Sequence, residues 1–311
     1  MTTAAPAATT RASAPNRPAD VIFRAVSTTA GVLILVALAG VAIFLVAQAV
    51  PAIIGPLPDD DSFWAWVWPL TFGTLWSAFL AMAMAVPMAI AIALFITHFA
   101  PRRLAAILGY LIDLLAAIPS VIYGLWGIAV LAPFMQPAYT WLADNLGWIP
   151  LFAPPASGTG RTILTAAIVL AVMVLPIITA LCREIFLQTP RLNEEASLAL
   201  GATRWEMIRM AVLPHGRSGI IASSILGLGR ALGETMAVAM VLASAGAVTF
   251  VVVGSQNPST IAANIALRFP EAHGITVNML IGSGLVLFAI TLLVNALSRW
   301  IIAKTTVDGG R

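Results

Sequence analysis

The sequence predicts an all-α protein that crosses a membrane six times and keeps both termini on the cytoplasmic side. Of its 311 residues, 60% are hydrophobic and only 9% are charged, whereas soluble domains average about 25% charged residues. Six long apolar intervals separate the charges, and most basic residues fall on one predicted side. Together these observations exclude an ordinary water-soluble fold.

The spans follow from the intervals without charge. A helix needs about 20 apolar residues to cross the hydrocarbon, because it must satisfy its own backbone hydrogen bonds there. Such intervals predict spans near residues 26–50, 69–97, 105–134, 162–182, 218–244 and 277–302. The resulting domain division is a disordered cytoplasmic tail over 1–25, a transmembrane domain over 26–304, and a short C-terminal tail over 305–311.

The orientation follows from the positions of lysine and arginine. With the N-terminus inside, the predicted cytoplasmic segments hold 13 of the 16 basic residues: Arg11, Arg17, Arg24, Arg102, Arg103, Arg183, Arg191, Arg204, Arg209, Arg217, Arg299, Lys304 and Arg311. The outer segments hold only Arg161 and Arg268, and Arg230 lies within a span. The positive-inside rule therefore predicts the N-in, C-in arrangement. The outer loop with Asp59, Asp60 and Asp61 fits an acidic exterior edge.

The composition also excludes several functions. The net charge of +3 rests on few charges, so the sequence does not predict nucleic-acid binding. Cys182 is the only cysteine, and His98, His215 and His273 fall in three separate predicted loops, so no metal site is expected. Lys304 is the only lysine and follows no glycine-rich turn, which excludes a P-loop. We expect no cofactor in this chain, and ATP and Mg²⁺ would bind another polypeptide.

The longest hydrophilic stretch, residues 183–217, predicts a first short helix between the fourth and fifth spans. Thr189 and Pro190 combine a capping residue with a first-turn proline. Acidic residues follow early in the helix, where its dipole favours them. Gly201 provides the stop.

A second short helix is predicted directly after Gly201. Thr203 and Glu206 have the capping-box spacing, and Pro214 is expected to break this helix. Two separately capped helices are more order than a solvated linker requires, so we favour a docking element over a linker. The residues that could press into a partner's groove are small: Ala196, Ala199 and Ala202.

The fifth span carries two charges, Arg230 and Glu234. Spaced four apart, both would project from one face of a continuous helix and could pair. Each charge at mid-span costs about 2.5–3.5 kcal/mol, and each large aliphatic residue returns only about 0.3–0.6 kcal/mol. The charged face should therefore meet protein or a water-filled path. The two residues either attract and hold an anionic substrate or form a self-neutralising pair that fixes helix registration.

Other candidates surround this pair. Gly229 and Gly233 form a GxxxG step that predicts a tight seam with another helix. Asp113, near the start of the third span, could pair with Arg230, pair with an arginine of another subunit, or reach the interface. The hydroxyls of Ser120 and Thr235 could donate hydrogen bonds to an oxyanion, although such groups more often bond to neighbouring helices.

The hydrophilic stretch resembles the EAA motif of ABC importer permeases. The resemblance lies in Glu195-Ala196-Ser197, then Gly201, then Leu213-Pro214, and it departs from the pattern at Ser197 and Ala211. It implies a type I ABC importer permease fold in which this stretch is the coupling helix that contacts an ATPase subunit. The implied contact residues are Glu195, Ala196, Ala199, Gly201, Ala202 and Thr203.

Two further segments, 117–124 and 229–238, resemble phosphate-specific importer permeases of the PstC type. The resemblance implies a phosphate-import permease of the bacterial cytoplasmic membrane that lacks catalytic activity of its own. It also implies a homologous second permease of the PstA type, an ATPase dimer of the PstB type and an external binding protein of the PstS type. The alternatives are a sulfate or molybdate permease, an ATP-independent anion transporter, and an intramembrane phosphatase or lipid-modifying enzyme.

Overall fold

A computed structural model describes residues 18–55 and 62–308, and almost all of their regular structure is helical. The α-helices are α1 (Pro18–Ile54), α2 (Phe63–Leu94), α3 (Arg102–Ala116), α4 (Ser120–Trp126), α5 (Ala132–Leu146), α6 (Ile163–Leu187), α7 (Arg191–Ala199), α8 (Arg204–Met207), α9 (Leu213–Leu232), α10 (Met236–Val241), α11 (Ile261–Arg268) and α12 (Ile275–Asp308). Short π-helical turns extend α2, join α4 to α5, and join α8 to α9.

The chain divides into two compact units between Ala47 and Gln48. In the described part of the first unit, α1 is strongly apolar, and none of its most hydrophobic window is buried. Residues 18–25, which were predicted to belong to the tail, are helical. Residues 1–17, the acidic loop at Asp59–Asp61 and residues 309–311 lie outside the described residues.

Five helical stretches among the described residues are long and apolar enough to cross a membrane: Ala19–Ile54, Phe63–Phe99, Ser120–Leu146, Ile163–Leu187 and Ile275–Trp300. They confirm a polytopic helical protein. The remaining predicted span, 218–244, corresponds to α9 and α10, which are separated by a break. The count of six spans and the N-in, C-in orientation therefore stay predictions.

The predicted continuous third span over 105–134 is wrong. Helix α3 ends at Ala116 and α4 begins at Ser120, so the chain turns between them. Pro119 explains the break, because proline cannot donate a backbone hydrogen bond and disfavours helical backbone in Ile118 before it. The Tyr123 hydroxyl donates to the Leu115 carbonyl across this turn at 2.9 Å.

The predicted continuous fifth span is also wrong. Helix α9 ends at Leu232, and α10 begins at Met236. Gly233 follows the last residue of α9, and glycine is a poor helix former. The Glu234 carboxylate then accepts a hydrogen bond from the Ala237 amide at 3.0 Å, which satisfies one of the free donors at the start of α10.

Pro214 does not end the second loop helix as predicted. Helix α8 continues through a π-helical turn at Ile208–Val212 directly into α9, and Pro214 stands in the first turn of α9. The wider turn changes the hydrogen-bond register just before the proline, whose missing N–H is tolerated at a first-turn position.

Helix α6 lies at the centre of the second unit, between α2 and α9. One face of α2 buries a row of alanines, Ala78, Ala81, Ala85, Ala89 and Ala93, which belongs to the main core. Small side chains let helix backbones approach closely, which is a common device of membrane bundles. The same core contains apolar residues of α6 from Ile163 at its start to Phe186 at its end.

Candidate translocation site and coupling surface

Arg230 lies level with the middle of α6. Helix α9 runs antiparallel to α6, because Gly216 at its start meets Phe186 and Gly227 near its end meets Ile178. Arg230 follows one turn later and is exposed on the surface of the chain. Together with Ile177 of α6 and Asn295 of α12 it lines a cavity of about 500 Å³. The guanidinium thus lies at mid-height in the bundle, on an open side.

The expected pairing of Arg230 with Glu234 is not formed. No ion pair joins the two within the described residues, because α9 ends between them. Glu234 is buried at 8% exposure and caps α10 instead. The arginine is therefore free to face an anion, while the glutamate stabilises a helix start.

The two helix breaks lie side by side. Helices α4 and α10 run parallel, because Gly124 faces Ala237 and Gly127 faces Val241. A Cβ at Gly124 would lie 2.9 Å from the Ala237 Cα, so the glycine permits this close approach. The starts of both helices consequently point to the same side of the bundle. Irregular backbone at membrane depth is tolerated where it is covered by protein or lines a cavity.

Ser120 and Thr235 mark these two helix starts. Ser120 is the first residue of α4 and is half-buried. Thr235 directly precedes α10, and its hydroxyl donates to the Gly233 carbonyl at 3.1 Å. The structure thus places both predicted hydroxyls at the breaks, although Thr235 already has a backbone partner.

The expectation that Asp113 could pair with Arg230 is wrong. Asp113 lies 3.6 Å from the Arg183 guanidinium of α6. Gly109 makes room for that guanidinium, since a Cβ there would clash with it. The pair lines a separate cavity of about 580 Å³ with Arg102 and Glu184, at the end of α6 where the predicted coupling loop, residues 183–217, begins. Asp113 therefore contacts α6 through an ion pair with Arg183.

The face that carries Gly229 and Gly233 was predicted to pack against another helix, but no described helix of this chain covers Gly229. Gly229 is exposed, and a Cβ added to it would meet no atom within 4 Å. Gly233 lies in the break rather than on a continuous helix, and its added Cβ would meet only the Gly229 carbonyl. A helix from another subunit could approach this face, and that contact stays a prediction.

The coupling loop is built largely as the sequence predicts. Helix α7 ends before Gly201, whose φ of +86° is a left-handed conformation that glycine adopts without strain. Thr203 and Glu206 form both bonds of the capping box. The hydrogen bonds from Thr203 hold the pKa of the Glu206 carboxyl below its ordinary value.

The predicted Thr189 cap is wrong, because its buried hydroxyl has no hydrogen-bond partner among the described residues.

The outer surface of this loop is accessible to a partner. Glu195, Ala196, Ala199, Gly201 and Thr203 are exposed, and Ala202 is half-buried. Large apolar side chains stand beside them, notably Leu192 at 78%, Leu200 at 90% and Trp205 at 58% exposure. Apolar side chains exposed so close together on a charged loop are typical of an interaction site.

Sequence reasoning missed the side chains that hold the segment after α10. Arg161 donates to the Met240 and Val241 carbonyls and so caps the end of α10. Asn257 is fully buried, donates to the Gly254 carbonyl at 2.9 Å and accepts from the Ile163 amide at 3.3 Å. The Arg161 contacts and the contact between Asn257 and Ile163 join residues far apart in the chain, and no local pattern signals them. His98, which contacts Glu194 at 3.7 Å, was missed for the same reason.

This combination of broken helices, an open mid-height arginine and an exposed two-helix loop defines a membrane permease that works with other subunits. Residues 85–307 match the family described as the binding-protein-dependent transport system inner membrane component. The solved structures confirm the type I ABC importer permease fold. A bacterial ABC transporter for the acidic polysaccharide alginate has a TM-score of 0.58 at 19% identity, covering 91% of this chain and 96% of that chain. An inward-facing MetNI methionine ABC transporter has a TM-score of 0.52 at 18% identity, covering 77% and 94%.

Curated relatives narrow the class. The phosphate transport system permease protein PstC 2 of Mycobacterium tuberculosis is 44% identical over 310 residues, covering 95% of each chain. PstC of Mesorhizobium japonicum is 38% identical over 307 residues, covering 94% of this chain and 92% of the relative. PstC of Haemophilus influenzae is 42% identical over 244 residues, covering 77% and 76%. The chain belongs to the PstC family of permease proteins and is a multi-pass protein of the bacterial inner membrane.

Proposed function

We propose that this chain is one of two permeases that together form the translocation pathway of an ATP-driven phosphate importer. The observation that carries the proposal is Arg230, exposed at mid-height beside two adjacent helix breaks and unpaired with Glu234. Ionisable groups inside membrane proteins usually mark the path of a polar substrate. A single guanidinium on an open surface attracts an oxyanion without enclosing it, which suits a site that must also release the ion.

The partners follow from the same features. A second permease of the PstA type would cover the open face around Arg230 and Gly229. An ATPase dimer of the PstB type would receive the coupling loop, with Leu200 and Trp205 as its exposed apolar contacts. A binding protein of the PstS type would deliver phosphate to the side opposite the loop. In this arrangement ATP and Mg²⁺ bind the ATPase, and this chain catalyses no covalent step.

The arrangement in the membrane completes the proposal. With α9 and α10 together as one broken span, the chain crosses six times and keeps its N-terminus, coupling loop and C-terminus in the cytoplasm. The distribution of basic residues supports this orientation.

Replacing Arg230 tests the proposed path. Arg230→Ala should lower phosphate uptake by about tenfold to a hundredfold, which corresponds to losing one charged hydrogen bond of about 1.5–3 kcal/mol. Arg230→Lys should keep part of the activity, because the positive charge remains. The measurement is uptake of radiolabelled phosphate by the assembled complex, with sulfate and molybdate as competitors.

Arg299→Ala is the matched control, because Arg299 is an exposed arginine of α12 outside the Arg230 cavity. It should leave uptake unchanged. Loss of complex assembly in Arg230→Ala would instead assign Arg230 a structural role. Stronger competition by sulfate or molybdate than by unlabelled phosphate would assign the importer to another oxyanion.

A further inference from the structure

The cavity of about 580 Å³ beside Asp113 lies where two membrane-crossing stretches end on the same side. The stretches Phe63–Phe99 and Ile163–Leu187 both end beside it, and α3 forms its third wall. The hydrocarbon of a bilayer gives way to the polar headgroups at the ends of the spans. The cavity therefore lies at the depth of the lipid headgroups. Four of the side chains that line it are charged: Arg102, Asp113, Arg183 and Glu184.

Arg183 is an enclosed cation whose hydrogen-bond donors are free. Its side chain is only 21% exposed, and Gly109 leaves room for the guanidinium against α3. Its contact with Asp113 measures 3.6 Å, which makes an ion pair but is too long for a hydrogen bond. A guanidinium has five N–H donors, and within residues 18–55 and 62–308 those of Arg183 have no hydrogen-bond acceptor. They are available to a ligand in the cavity.

The other charges of the cavity have opposite signs. Arg183 and Asp113 balance each other's charge, which leaves Arg102 of α3 and Glu184 of α6. Both of these are exposed, and neither forms an ion pair with another part of the described chain. A free anion would be attracted by Arg102 and repelled by Glu184. A headgroup that carries one negative and one positive charge complements both residues.

An apolar stripe on α3 adjoins the cavity. Ile107, Leu111 and Leu114 follow one another at helical spacing, so they lie on one face, and all three are exposed. Tyr110 lines the cavity and is also exposed, three residues from Ile107 and four from Leu114. Tyrosine is enriched at the level of the headgroups in membrane proteins. The stripe thus offers an apolar surface to an acyl chain whose headgroup lies in the cavity.

We propose that this cavity binds the headgroup of a zwitterionic aminophospholipid. Its phosphate is held by Arg183 and Arg102, and its ammonium group by Glu184. Guanidinium groups bind phosphate oxygens through two parallel N–H donors, and pockets with basic side chains between transmembrane helices bind lipid headgroups. The bound lipid connects α3 to the end of α6, where the coupling loop begins. This site is separate from the Arg230 cavity and does not depend on the proposed function.

The experiment uses the complete complex in mild detergent with a phosphatidylethanolamine that carries a photoreactive group on its acyl chain. After illumination, mass spectrometry should find the probe on peptides from α3 and the end of α6. Unlabelled phosphatidylethanolamine should displace the probe. Phosphatidylglycerol with the same acyl chains should do so several-fold less well, because it lacks the ammonium group and adds negative charge beside Glu184.

Inorganic phosphate is the third competitor, and it should leave the labelling unchanged. Displacement of the probe by inorganic phosphate would show a site for a free anion and would overturn the lipid assignment. Equal displacement by the two phospholipids would overturn the role of Glu184.

Variants of the lining residues make the test specific, with labelling normalised to the amount of assembled complex. Arg102→Gln should weaken binding of the probe by about tenfold, as expected for the loss of one charged hydrogen bond. Arg103→Gln is the matched control, because Arg103 is an exposed neighbour that does not line the cavity. Glu184→Gln should remove the preference for phosphatidylethanolamine over phosphatidylglycerol, which a general disturbance of the helices would not do.

Ala106→Leu tests the cavity without changing any charge. Ala106 lines the cavity and is exposed, so the larger side chain should occupy part of the headgroup's space and lower the labelling several-fold. Labelling that remained at the wild-type level in both Arg102→Gln and Ala106→Leu would overturn the inference.

Discussion

Glu234 shows how the role of a residue changes when the helix around it ends. Its spacing from Arg230 predicts an ion pair on one helix face. Because α9 ends at Leu232, the carboxylate instead accepts a hydrogen bond from the Ala237 amide. A charge that would have neutralised Arg230 thus stabilises the start of α10. The arginine keeps its full positive charge on the open side of the chain.

Glu206 is a second single residue whose contacts give a prediction, here about how the stability of α8 depends on pH. Its pKa is lowered by hydrogen bonds from Thr203, so the ionised form is favoured in the folded loop. The resulting stabilisation is present above the ordinary glutamate pKa of about 4.3 and is lost as the pH falls through the lower folded value. Hydrogen exchange of the α8 amides should therefore be slower in wild type than in Glu206→Ala near neutral pH.

The difference in α8 hydrogen exchange between wild type and Glu206→Ala should disappear in acid, once the wild-type carboxyl is protonated. Glu195→Ala serves as the control, because Glu195 is an exposed acid of α7 outside the capping box. A difference that persisted unchanged at the lowest pH would contradict the capping role of Glu206.

At the scale of elements, the bend between α7 and α8 depends on Gly201. Its φ of +86° is unfavourable for other residues, and a branched side chain would cost about 1–2 kcal/mol there. Gly201→Val should therefore change the angle of α7 and reduce phosphate uptake while ATP hydrolysis continues. The measurement is the ratio of uptake to hydrolysis in the reconstituted complex.

A serine-to-alanine change one turn away distinguishes this effect from general damage to the loop. Ser197 donates to the Asn193 carbonyl within α7, so Ser197→Ala leaves the bend intact and should transport normally. Normal coupling in Gly201→Val would remove the bend from the coupling mechanism.

The sequence predicted those elements whose signals are local. The capping box of Thr203 and Glu206 and the stop at Gly201 each depend on a few consecutive residues, and the structure contains both. The effects of Pro119 and Pro214 were harder to predict, because a proline either breaks a helix or is accommodated by its surroundings. Pro119 produces a break, while the π-helical turn before Pro214 lets the helix continue.

The sequence predicted which residues belong to the candidate site, but it did not predict which residues they contact. Arg230, Ser120 and Thr235 all lie at or near the two breaks, where the sequence predicted two continuous spans, 105–134 and 218–244. The partners of Asp113 and His98 are Arg183 and Glu194, which lie many residues away along the chain. Such contacts depend on how helices pack, and a single sequence carries no local signal for them.

At the scale of the whole molecule, the described surface is that of a subunit rather than a finished transporter. Arg230 and Gly229 are exposed beside a cavity, and apolar side chains cover much of the outer helix faces. Lipid can cover the apolar faces but not the guanidinium. The exposed arginine therefore indicates a protein partner on that face.

The proposed membrane arrangement gives a prediction for the entire chain. Cys182 is the only cysteine, is buried and lies 3.2 Å from the Ser223 hydroxyl. In a Cys182→Ser background, Asp144→Cys should react with a membrane-impermeant thiol reagent added to intact cells. Leu200→Cys, which is 90% exposed on the coupling loop of the isolated chain, should react only in inside-out vesicles, which are prepared from cells without the ATPase subunit because that subunit would cover the position.

The Cys182→Ser protein without added cysteines should show no labelling from either side. Labelling of Leu200→Cys from outside the cell would reverse the proposed orientation, and labelling of both positions from one side would change the number of crossings.

The exposed Arg230 also has a consequence for the amount of this protein that cells retain in the membrane. A newly inserted copy that has not met its companion presents the guanidinium to acyl chains, at a cost of about 2.5–3.5 kcal/mol near mid-membrane. Under the proposed function, we expect copies without the second permease to be less stable than assembled copies. Balanced synthesis of the two permeases would then set the abundance of the importer, with any surplus removed by quality control.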